Sequence, residues 1–179
     1  MSFSRRSLAV LPLLAVSGEA WAQKKLEIPP SWYGVRIDET AITVEMPGVP
    51  DHRVSTDTSP RGTAFQLHSY SLEAGGNSYV AQTALYPADV DIAQPRAILQ
   101  AALNGRAPQL AGAKWTKVDW REIRGAAAVE SVGALPGGNV LRQVNVLRER
   151  RLLSLAFLGT AAAATGADAE RFFKSLKLA

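Results

Sequence analysis

Residues 114–159 narrow most sharply what this chain can become. They read as strand, turn, strand, turn, strand, turn, strand, with almost nothing between. Residues 114–124 hold Trp115, Val118, Trp120 and Ile123, and residues 125–133 follow as a second strand. Leu135-Pro136-Gly137-Gly138-Asn139 is a hairpin turn, because glycine accepts the left-handed backbone that tight hairpins need. Residues 140–148 and 152–159 are two strongly apolar strands joined at Glu149-Arg150. Strands linked this closely can only pair antiparallel, since a parallel pair needs a crossover of a dozen residues or more.

The first half repeats the pattern less clearly. Residues 40–46 place Ile42, Val44 and Met46 on one side of a strand, and Pro47-Gly48-Val49-Pro50 ends it. Residues 53–58 form a more polar strand. Ser59-Pro60-Arg61-Gly62 turns it into residues 63–72, Ala74-Gly75-Gly76-Asn77 turns again, and residues 78–86 read as a central strand. The period then changes: after Pro95, Ile98, Leu99, Ala102 and Leu103 recur at helical spacing. Residues 160–167 are small and read as loop. Asp168 is placed to cap a last helix carrying Phe172, Phe173 and Leu176. Four strands, a helix, four strands and a helix predict an α+β domain: an antiparallel sheet of about six to eight strands flanked by helices.

The N-terminus carries a different message. MSFSRR is basic, residues 8–16 (LAVLPLLAV) are apolar, and Ala20-Trp21-Ala22 puts small residues before Gln23. This is the pattern of a cleavable export signal over 1–22, and the apolar run is about half what a membrane span requires. Arg5-Arg6 also fits the twin-arginine route. Residues 23–34 then form a loose lead-in, with Trp32 and Tyr33 at the domain edge, and 35–179 a single domain in the bacterial periplasm or outside the cell. The chain has no cysteine, so neither disulfides nor thiolate metal sites are available to it. A net charge of +4 is too small to argue for nucleic acid.

Four stretches, residues 42–50 (ITVEMPGVP), 79–87 (YVAQTALYP), 151–155 (RLLSL) and 168–178 (DAERFFKSLKL), together resemble the PsbP-like superfamily. The chain departs from many of its members in having leucine at 153. The resemblance implies an α/β/α sandwich used to dock partners or small ligands, with no shared catalytic residues. Fold of that kind does not define function.

No G-x-S-x-G, H-E-x-x-H, P-loop or G-x-G-x-x-G motif occurs. Pairing Ser59 with Gly62 sets position 52 opposite 69 and makes His52 and His68 near neighbours, a potential pair of divalent-metal ligands beside Asp51. Arg142, Arg148, Arg150 and Arg151 form a cluster suited to an anionic partner, with 142, 148 and 150 on one face if no bulge intervenes. Trp115 and Trp120, five apart, fall on opposite faces of a regular strand. The expectation is an exported, non-enzymatic binding or accessory protein without cofactor, whose partner is a protein or small ligand. A small metal-dependent hydrolase using His52 and His68, and a structural homo-oligomeric envelope protein, are the alternatives.

Overall fold

The computed structural model describes residues 31–37, 42–106 and 115–178. The export signal, and all of the lead-in before residue 31, lie outside the described residues. Nine strands and three helices follow in the order β1 (Tyr33–Arg36), β2 (Thr43–Met46), β3 (Asp51–Thr58), β4 (Ala64–Ala74), β5 (Asn77–Leu85), α1 (Pro95–Arg106), β6 (Trp115–Ile123), β7 (Ala126–Ala134), β8 (Asn139–Arg148), β9 (Arg151–Thr160), α2 (Ala161–Ala164) and α3 (Ala167–Lys174). Strands β3 to β9 make one antiparallel sheet in the spatial order β3-β4-β5-β9-β8-β7-β6, and β1 and β2 pair in a small sheet of their own.

The turns behave as hairpin chemistry requires. Gly75 and Gly76 (φ 58° and 74°) join β4 to β5, and Arg124 and Gly125 (φ 51° and 77°) join β6 to β7. Both links put two consecutive residues at positive φ, the backbone whose twist matches the flanking strands.

The expected α+β sandwich is not what forms. The chain is mostly β, and its helices are short, with 12, 4 and 8 residues. The reason lies in what covers the sheet. On one face Val35, Ile37, Val44 and Met46 from the β1–β2 segment enter the main core beside Phe172, Phe173 and Leu176. A two-stranded sheet thus shares a layer that the sequence assigned to helix. It is tied to the C-terminal segment through Thr43 and Lys177, whose N–H groups each donate to the other's carbonyl at 3.1 and 2.9 Å. On the other face α1 packs, with Leu99 and Leu103 against Val129 and Leu147, and Tyr86 beside them.

Two smaller differences concern the helix ends. Residues 161–164 are helical, with Thr160 as the cap whose hydroxyl accepts the Ala163 N–H. In α3 the cap is Gly166, and Asp168 lies inside the first turn with Glu170, where a carboxylate still meets the positive end of the helix dipole. Among the described residues no helix is long and apolar enough to cross a membrane.

Candidate functional site

The two faces of the large sheet differ in chemistry. The face shared with β1, β2 and α3 is apolar at its centre. The face under α1 carries a polar band, because strand alternation sends Ser131 of β7, Gln143 and Asn145 of β8, and Ser154 of β9 to that side. Cross-strand pairing places Ser131 against Gln143 and Asn145 against Ser154. The Asn145 row continues through Gln82 to Ser69, where the Gln82 amide donates to the Ser69 hydroxyl at 3.2 Å.

These groups are buried and under-used. Gln143 is 1% exposed and Asn145 2%. Both ends of the Gln143 amide, Nδ2 of Asn145, Oγ of Ser131 and Nε1 of Trp115 have no hydrogen-bond partner among the described residues. Asn145 does accept one bond, from the Ser154 hydroxyl. Buried polar atoms are nearly always paired, and each exception costs about 1–3 kcal/mol. Four side chains carrying such atoms on one face therefore mark the place where the chain departs most from a self-satisfied fold.

A cavity of about 250 Å³ opens beside this band, between the end of α1 and strands β4, β5 and β9. Gln82 and Ser154 give it a polar floor, while Leu67, Leu152 and Ala102 form apolar walls. Among the described residues no charged side chain lines it. Trp115 and Trp120 border the same face. The expectation that they point apart fails because the register shifts between Trp115 and Lys117, so they sit opposite Gly133 and Val129 and both pack on the α1 side.

The two histidines lie on the opposite face, at the sheet's edge. The β3–β4 link uses five residues, Thr58 pairing with Ala64, so His52 stands opposite Tyr70 and not position 69. This one-residue change puts His52 and His68 on the same face. Nε2 of His52 and Nδ1 of His68 are 3.3 Å apart, and the His52 ring stacks on Tyr70 at 4.3 Å between centroids. Asp51 alternates to the other side. Among the described residues no group of three His, Cys, Asp or Glu side chains could hold a metal.

The arginines do not form one surface. Arg142 is 14% exposed, donating to Glu130 at 2.8 Å, to Glu170 at 2.5 Å and to the Ala164 carbonyl at 3.0 Å, above the Phe173 ring. Arg150 falls in the β8–β9 turn, where alternation no longer applies, and donates to the carbonyls of Tyr86, Pro87 and Val90. Arg148 and Arg151 pair with one another across the strand ends. The cluster is thus divided between an ion-pair network and a loop clasp.

Hydrogen bonds from Arg142 and then Lys174 hold the Glu170 carboxyl below its ordinary range. A depressed carboxyl stabilises the fold above its unfolded pKa of about 4.3, and that contribution is lost as pH falls through the lower folded value. Stability should therefore decline below about pH 4. Glu170→Gln should be less stable at neutral pH and flatter across the acid limb, as followed by urea unfolding at stepped pH.

No protein-family profile matches the chain, and no curated protein matches it. A solved structure is similar in part: a Pseudomonas aeruginosa protein of unknown function, PA94, is 21% identical over 74% of this chain and 85% of that one, with a TM-score of 0.40. At that level of likeness the two chains share neither a demonstrated fold nor a demonstrated function.

Proposed function

We propose that this chain is an exported, non-enzymatic binding module that takes a small, neutral, hydroxyl-rich molecule against the α1 face of its sheet. The observation that carries this reading is the set of orphaned buried amide, hydroxyl and indole groups on that face, next to a cavity whose described lining holds no charged side chain. Gln82 and Ser154 on the cavity floor offer donors and acceptors together, which a sugar or polyol can meet with hydroxyls that do both, and the orphaned groups lie beside them on β8, β7 and β6. A charged ligand would lose its hydration there without gaining a counter-charge, which disfavours it strongly. The export component of the reading rests on the signal pattern at 1–22.

Calorimetric titration with a panel of neutral monosaccharides and acyclic polyols tests it. Binding by at least one member, lost in Ala102→Trp, which fills the cavity, is the expected result. Absence of heat across the panel, with the protein folded, would contradict it. Gln143→Leu supplies a second prediction. Replacing an unpartnered buried amide with an apolar side chain of similar size should stabilise the fold by about 1–2 kcal/mol while weakening binding. Thermal unfolding of the two proteins reads the first effect, and the same titration reads the second.

A further inference from the structure

The two edges of the large sheet are protected very differently. β6 carries a register shift at Trp115/Lys117 and two basic side chains, Lys117 and Arg121, the devices that keep a strand edge from pairing. β3, at the other edge, runs eight residues in unbroken register with β4, has neither proline nor lysine, and its one basic side chain, Arg53, is matched by acids on the same strand. All eight residues are exposed, and no described residue pairs with the strand's outer side. We propose that two copies of this chain pair antiparallel along β3, joining their sheets into one continuous sheet across a two-fold axis.

The sequence of the strand selects the register. For the two copies to present the same faces, an odd residue must meet an odd one and an even residue an even one. Two such registers use nearly the whole strand. With Val54 on the axis, Asp51 meets Asp57 and like charges oppose. With Ser55 on the axis, Arg53 of each copy meets Asp57 of the other, His52 meets Thr58, and Val54 meets Thr56. The second register pairs opposite charges twice and opposes no like charges. Arg53 makes no ion pair or side-chain hydrogen bond among the described residues, and Asp57 uses one oxygen on the Thr58 N–H, leaving the other to accept. Exposed ion pairs add little affinity, so their role here is to fix the register, while the backbone ladder holds the copies together. This inference is independent of the binding reading, because β3 does not line the α1 cavity.

Sedimentation of the chain over a concentration series should show a monomer–dimer equilibrium. Arg53→Asp and Asp57→Arg, each alone, should weaken the dimer by about tenfold or more, and the double swap should bring it back to within about threefold of the original. Because these side chains are exposed, the variants leave the core untouched. The chain has no cysteine, so Ser55→Cys introduces a lone thiol. In the stated register the two thiols face each other across the axis, with Cα atoms about 4.5–5.5 Å apart, within disulfide reach. Oxidation should link Ser55→Cys chains in pairs and leave Val54→Cys chains mostly unlinked. A monomer at every concentration, a dimer indifferent to the charge swaps, or preferential linking through Val54→Cys would each overturn the proposal.

Discussion

Phe172→Ala is expected to destabilise the fold by about 3–5 kcal/mol, measured by urea unfolding. Phe172 is fully buried, at 0% exposure, and is the side chain through which α3 grips the sheet. Its ring meets Tyr79 of β5 edge-on, at 5.5 Å and 86°, and Tyr79 in turn meets Phe157 of β9 in the same manner at 5.1 Å. Edge-to-face contacts of this kind add to the area buried, and a cavity left at their centre has neighbours on three elements that cannot all collapse into it. The substitution should also loosen β2, because the same α3 segment holds it: Ser175 Oγ accepts the Glu45 N–H at 2.8 Å, and Arg171 donates to the Glu45 carboxylate at 2.8 Å. Phe172→Leu, which keeps most of the volume, should cost clearly less. Equal losses for the two variants would mean that the aromatic geometry contributes nothing.

Arg142→Ala should be comparably damaging, at about 3–5 kcal/mol, although it removes a charged residue from a strand. Burial alone would favour loss of the Arg142 proton, but the hydrogen bonds to Glu170 and Glu130 outweigh it and push its pKa up. Once the guanidinium is gone, Glu130, whose side chain is 9% exposed, keeps among the described residues only Arg121 at 3.0 Å, a partner 41% exposed. The cost is that of a stranded buried charge and exceeds what the pair contributes when intact. Arg142→Ala/Glu130→Gln should therefore recover part of the loss, since a neutral amide needs no counter-charge. Arg142→Lys should recover little, because an ammonium cannot reach Glu130, Glu170 and the Ala164 carbonyl together. Denaturation of the unmodified chain, Arg142→Ala, Glu130→Gln and the double variant forms the double-mutant cycle.

How much of this could be read beforehand depended on how each segment buries itself. β8 and β9 were legible because they are rich in Val, Leu and Phe, and a tight turn precedes each. β1 was not: Tyr33–Arg36 is four residues long with only Val35 buried, too short for an alternation to show. α2 is four alanines, neutral to any pattern. The helices were correctly spaced but too few and too short for the α+β sandwich, since the β1–β2 pair shares one face with α3. His52 and His68 were named from sequence, yet their shared face depended on one residue of loop length. Ser59 decides that length by accepting N–H bonds from Gly62 at its carbonyl and from Thr63 at its hydroxyl.

The polar band was missed for a related reason. Its members are scattered over strands that read as core, so composition and motif searches pass over them. One signal was present: Gln143 and Asn145 stand two apart among the valines and leucines of β8, which puts two amides on one face of the sheet's interior. Only pairing with β7 and β9 brings Ser131 and Ser154 beside them.

The most direct test of the binding reading is the ¹H–¹⁵N spectrum of the Gln143 and Asn145 side-chain amides, assigned through Gln143→Leu and Asn145→Leu, during titration with the neutral monosaccharide and polyol panel. The amide of Gln82, on the cavity floor, and those of Gln143 and Asn145 behind it should shift and saturate together with one member of the panel, while the glutamine and asparagine amides elsewhere stay still. Amides that remain unmoved throughout, in a folded protein that Gln143→Leu makes less stable, would contradict it.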